Sequence, residues 1–155
     1  MISSKCYEIF GALIGLTGAL SNNGKGQDTD ALVRKALILA GSPDGDQKKT
    51  KEMLAAIRAE KFRISPDCAV CQAPCGNTSD YDPAGFATAE CALRDRKDRV
   101  MAALCRFAAD WSGDLRGEEL PVFVYRGIST LAWDFPLKEY DEILTEIEDA
   151  RSLIL

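Results

Sequence analysis

The chain has 155 residues, of which 46% are hydrophobic and 28% charged, and its formal net charge is −5. That length fits one domain spanning residues 1–155, large enough to bury roughly 70% of its unfolded surface and to fold without a disulfide or metal staple. The acidic balance argues against a nucleic-acid partner, which asks for a basic face, and against docking on an anionic membrane.

Helical periodicity dominates from the first residues onward. Ser4–Leu20 carries Cys6, Ile9, Phe10, Leu13, Ile14 and Leu20 largely on one stripe, and the turn Ser21-Asn22-Asn23-Gly24 ends it. The apolar part, Ile9 to Leu20, falls short of the roughly 20 residues of a membrane span. It has the look of a signal-peptide core, but only Lys5 precedes it, Glu8 interrupts the approach, and no small-x-small cleavage site follows. The expected location is the cytoplasm, where clustered cysteines are more often metal-binding or redox-active than bridged.

A second helix is expected over Asp30–Ala40, capped by Asp28 or Thr29 and stopped by Gly41-Ser42-Pro43-Asp44-Gly45. A third runs from Asp46 to Phe62, with Met53, Leu54, Ile57 and Phe62 inward. Lys48, Lys49, Lys51, Glu52, Arg58, Glu60 and Lys61 are its solvated face.

The segment Ile64–Gly85 holds Pro66, Pro74, Gly76, Pro83 and Gly85, so no unbroken helix crosses it. It reads as a long loop, and long loops inside compact domains tend to be functional or disordered.

A longer helix follows over Phe86–Trp111, with Phe86, Ala89, Leu93, Val100, Leu104, Phe107 and Trp111 in one sector. Cys91 and Cys105 lie about 40° apart on a second face, with Ala102 and Ala109. A helix apolar on two sides is central in a bundle or meets a second chain, so a homodimer through the Cys91–Cys105 face is one expectation. A fifth helix is expected over Glu118–Trp133. The last begins at Pro136, with Asp134 as cap and Leu137, Tyr140, Ile143, Leu144, Ile147 and Ala150 on its stripe. The predicted fold class is all-α, a single-domain bundle of five or six helices with a long cysteine-containing loop.

That loop carries the chemistry. Cys68, Cys71 and Cys75 fall within eight residues, in SPDCAVCQAPCGNTSDYD. Thiolates are the ligands of iron–sulfur clusters and of structural zinc, and a C-x2-C step lets two sulfurs reach one centre. Cys75 brings a third sulfur, and Gly76 allows close backbone approach. A closed tetrahedral site needs a fourth ligand, for which Cys91, Cys105 and Cys6 are candidates; Asp67 or Asp80 can serve on zinc or iron. Taken singly, Cys6, Cys91 and Cys105 are more often small buried hydrophobes than ligands. The loop cysteines have two plainer readings: reduced thiols with no cofactor at all, or a reversible Cys68–Cys71 or Cys71–Cys75 disulfide. Asp82, in Asp80-Tyr81-Asp82, reads as a cap for the next helix rather than as a cation ligand.

The run Cys68-Ala69-Val70-Cys71-Gln72, closed by Pro74-Cys75-Gly76-Asn77-Thr78, resembles the N-terminal cysteine region of hybrid-cluster proteins, also called hydroxylamine reductases. There a CxxCQ opening and a later CGKT-like end bind a cubane iron–sulfur cluster beside a helical bundle. Cys68 and Cys71 match the opening pair and Cys75 the closing cysteine, while the family's intervening cysteine has no counterpart. The surroundings are similar to small helical proteins of anaerobic bacteria with a PDC..C..PCG.T.DYD signature, which carry the hydroxylamine reductase label by similarity. Pro66-Asp67-Cys68, Thr78 and Asp80-Tyr81-Asp82 fit that signature, and a looser likeness continues through Arg126–Glu148. The specific motif covers about 16 residues.

The resemblance implies an iron–sulfur cluster or metal, a redox protein partner, and a role in electron transfer or redox sensing. In the full-length enzymes the hybrid cluster takes His, Glu and Cys ligands from later domains. This chain has no histidine, so independent hydroxylamine reduction is not expected. A reductase that works only within a larger complex is one alternative. The other is a helical protein-interaction module whose cysteines are plain thiols.

Overall fold

The computed structural model describes residues 4–20, 27–43, 47–64, 91–110, 120–132 and 135–154. Among these residues there are six helices and no strand: α1 (Ser4–Leu20), α2 (Gln27–Gly41), α3 (Gln47–Ile64), α4 (Cys91–Asp110), α5 (Val122–Thr130) and α6 (Leu137–Ile154). They pack as one all-α bundle around a contiguous core to which every helix contributes.

The core is built around α1. Its sequence from Ile9 to Leu20 has no charged residue. Ile9, Phe10, Ala12, Leu13, Ile14, Leu16 and Ala19 are all buried, well beyond the single stripe expected from the sequence. A helix apolar all round belongs inside a bundle, and α1 packs on α2, α3 and α5. Thr17 is accommodated there because its hydroxyl donates to the Leu13 carbonyl at 2.8 Å.

Two side-chain bonds set the direction of the first three helices. Lys5 Nζ donates to the Ser42 carbonyl at 2.6 Å, which brings the start of α1 to the end of α2. Thr29 Oγ1 donates to Glu60 Oε2 at 2.9 Å, which brings the start of α2 to the end of α3. The three helices therefore run alternately up and down. On the other side α4 and α6 run parallel: Arg96 pairs with Asp141 at 2.9 Å, Arg106 with Glu148 at 3.5 Å and Arg151 with Asp110, in the same order along both helices. The short α5 runs against both, with Phe107 and Phe123 edge to face at 5.0 Å. Gly127 lets Leu104 and Ile143 close over its backbone.

Several expectations are revised. Helix α2 begins at Gln27, so Thr29 is an internal residue that bonds Glu60 rather than a cap. Phe62, expected inward, is 49% exposed, and Ile64 takes the inward place one turn-fraction later. Glu60, expected on the solvated face, is buried. Helix α5 is shorter than the sequence suggests: Pro121 sits extended before it (φ −55°, ψ 145°), and the first helical residue is Val122. Central placement of α4 is confirmed, since it packs on α2, α5 and α6. Residues 86–90 and 111, expected in this helix, lie outside the described residues, as do the turn after α1 and the cap candidates Asp82 and Asp134.

Candidate functional site

Cys68, Cys71 and Cys75 lie outside the described residues, as do Asp67 and Asp80. What the structure places is the ground on either side. Helix α3 ends at the buried Ile64, and the described residues resume at Cys91, the first residue of α4. Ile64 follows Glu60 by one turn, at the end of the bundle where Thr29 opens α2.

The remaining candidates, Cys6 and Cys105, both lie in the core. Cys6 comes from the first turns of α1 and Cys105 from the C-terminal third of α4, and both are reduced and buried, at 3% and 7% exposure. The close approach of α2 seats Cys105. A Cβ on Gly41 would lie 2.7 Å from Cys105 Cβ and 3.5 Å from its Sγ, so only glycine fits there. With Lys5 held to Ser42, this places the two thiols at the far end of α2 from Thr29, about 20 Å away along a helix of 15 residues.

The pair is electrostatically asymmetric. Cys105 holds the Cys6 thiol below its ordinary range, with the Lys5 ammonium helping and burial and Asp98 opposing. Cys6 in turn, reinforced by burial, pushes Cys105 up.

Around the pair, Tyr7 donates its hydroxyl to Asp98 Oδ1 at 2.9 Å. Burial pushes the Tyr7 phenol up to about 12, and the bond to Asp98 acts in the same direction. Burial also raises Asp98, against the bond from Tyr7 that lowers it. Cys105 occupies part of the α4 face suggested for a homodimer, and α2 covers that part within the chain.

A second feature is a groove of about 600 Å³ between α5 and α6. Glu139, Glu142 and Glu146 line one wall, Arg126 faces them and pairs with Glu146, and Phe135 and Ile143 supply the apolar floor. The sequence reading did not single out these carboxylates. They recur at three- and four-residue spacing on the exposed side of α6, which is the ordinary pattern of a solvated helix.

No group of three or more His, Cys, Asp or Glu side chains is arranged to hold a metal among the described residues. None of the described helices is long and apolar enough to cross a membrane. Comparison with protein-family models, with curated proteins and with solved structures finds no match.

Proposed function

We propose that this chain is a small redox protein that binds an iron–sulfur cluster, with zinc as the alternative, through Cys68, Cys71 and Cys75. Its task is electron transfer or redox sensing with a protein partner in a reducing cytoplasm, and it does not reduce hydroxylamine on its own. The observation that carries the reading is the placing of three thiols within eight residues, in a segment punctuated by proline and glycine.

The donor set fits the group. Three soft thiolates from one segment suit iron–sulfur clusters and zinc and disfavour magnesium or calcium. When bound, a cluster supplies one-electron chemistry that the side chains lack. Cys91 is the favoured fourth ligand, because Cys6 and Cys105 are buried in the core. The motif's likeness to the hybrid-cluster proteins supports a cluster over zinc. Their catalytic centre needs histidine, which this chain does not have, and that limits the proposal to carrying or sensing electrons.

The test is iron, zinc and acid-labile sulfide per chain on protein purified without oxygen. Near-stoichiometric iron with sulfide, lost in the Cys68→Ser/Cys71→Ser/Cys75→Ser variant, is the expected result. Zinc without sulfide makes the loop a structural staple. Absence of both metals overturns the proposal and leaves a helical module bearing thiols.

A further inference from the structure

Charge is unevenly shared between the two outer helices of the bundle. In α3 six basic residues stand against two acidic ones, and in α6 six acidic residues stand against two basic ones. Helix α3 packs on α1 and α2, and α6 packs on α4 and α5, so their outward faces lie on different sides of the molecule. A contact between those faces therefore has to join two copies of the chain.

Each face also has a shape. On α3, Lys48, Lys51, Ala55, Arg58 and Phe62 are all exposed and recur at three- and four-residue steps, which puts them on one stripe. Ile57, Glu60 and Ile64 are buried on the opposite side of the same helix. Phe62 is a large apolar side chain left in water at one end of the stripe. Across the bundle lies the α5–α6 groove of about 600 Å³. Its floor holds Phe135, exposed but fixed in place: its amide donates to Tyr140 Oη at 3.2 Å, and the two rings meet edge to face at 6.4 Å. Glu139, Glu142 and Glu146 stand beside it. Arg126 pairs with Glu146 in an exposed contact that water screens, and Glu139 and Glu142 add two further negative charges.

We propose that this groove is the docking site for α3 of a second copy, laid antiparallel along α6. Charge and register both point to that occupant. Phe62, Arg58 and Lys51, read backwards along α3, are spaced by four and seven residues. Phe135, Glu139 and Glu146, read forwards, have the same spacing. Seven helical residues rise about 10 Å, so one placement sets Phe62 on Phe135, Arg58 beside Glu139 and Lys51 beside Glu146. Glu142 then lies between the two cations. The aromatic contact forms the dry centre of such an interface, while the charges around it steer approach and fix register. A single helix in a groove buries little surface, so the association is weak and depends on concentration. Groove and stripe are different surfaces, so the contact is heterologous: each added copy still offers its own groove, and copies join head to tail. None of this depends on the three-cysteine segment or on what it binds.

The experiment is sedimentation velocity on the reduced full-length chain. Between about 10 and about 500 μM protein in about 50 mM salt, oligomers should grow with concentration, and about 0.5 M salt should weaken the association about tenfold. Phe62→Ala should also weaken it about tenfold. Lys51→Glu/Arg58→Glu spoils the stripe and keeps the groove, whereas Glu139→Lys/Glu142→Lys spoils the groove and keeps the stripe. Each variant alone should be monomeric, with helical circular dichroism unchanged. Mixed, the two should form a one-to-one dimer and nothing larger, because each brings the half that the other lacks. A wild-type chain that stays monomeric across this range overturns the proposal, and so does a mixture that forms no dimer. Oligomers that persist in either charge-reversed variant overturn it too, since they place the contact on another face.

Discussion

Glu60 shows how much a single buried carboxylate decides in this bundle. It lies near the end of α3 at 8% exposure, accepts from Thr29 at 2.9 Å, and pairs with Arg63 one turn on. The Arg63 guanidinium holds its carboxyl below the usual range, with Thr29 helping and burial opposing. A group whose folded pKa is depressed stabilises the fold above its unfolded value, and that contribution is lost as the pH falls through the folded value. Arg63 is 58% exposed, so water screens its share. Glu60→Gln keeps an acceptor for Thr29 but loses the charge. It should cost about 1 kcal/mol at pH 7 in urea denaturation. The gap from wild type should narrow as the pH drops below about 4.3, the carboxylate's unfolded value; a gap that widens in acid would show that Glu60 is not held ionised. The sequence placed Glu60 among solvated charges, because helix periodicity shows faces but not which hydroxyl a neighbouring helix will present. Thr29 and Glu60 are 31 positions apart, and nothing local links them.

At the scale of elements, periodicity was enough for identity and weaker for ends. Ser4–Leu20 was readable to the residue because the charge-free run Ile9–Leu20 is followed in sequence by the helix-breaking Ser21-Asn22-Asn23-Gly24. The ends of α2 and α5 were not: α2 gains an N-terminal turn, and α5 starts only after Pro121 takes an extended conformation. Cys6 and Cys105 were each legible as buried small residues, but the close approach of Gly41 to Cys105 depends on how α2 crosses α4, which no local pattern encodes. Helix approach also separates two glycines that look alike in sequence. At Gly41 an added Cβ would meet the Cβ of Cys105 at 2.7 Å, an atom that moves only if α2 or α4 moves. At Gly127 it would meet Leu104 Cδ1 at 3.3 Å and Ile143 Cγ2 at 3.6 Å, the far ends of side chains that can adjust. Gly41→Ala should therefore destabilise by about 1–3 kcal/mol as an overpacked contact. Gly127→Ala, inside α5, gains about 1 kcal/mol of helix propensity against a tight fit, and should stay within about 1 kcal/mol of wild type. Equal losses in chemical denaturation would mean that α2 and α4 do not approach as closely as Gly41 permits.

For the whole molecule, the question is whether the bundle depends on whatever the three-cysteine segment binds. The chemical character of that segment is plain in sequence, because residue type and spacing are local properties; its geometry is not, because a closed site would need a ligand brought in from elsewhere. The rest of the chain argues for independence. All six described helices feed one contiguous apolar core, with α1 buried over most of its length and Phe107, Tyr140, Leu104 and Met101 fully enclosed. A chain of this length buries enough surface to fold on that core alone. The three cysteines follow Ile64 in sequence, a residue already locked into the core. Removing the thiolates in the Cys68→Ser/Cys71→Ser/Cys75→Ser variant should therefore abolish metal binding and leave helical circular dichroism intact. The melting temperature should stay within about 3 °C of wild type, the shift that about 1 kcal/mol produces in a domain of this size. A fall several times larger would mean that the metal holds the fold together, as structural zinc does when its binding energy is folding energy. A small fall with loss of iron and sulfide points the other way: the bundle is a preformed support, the bound group is there to exchange electrons, and its potential and partner become the properties to measure.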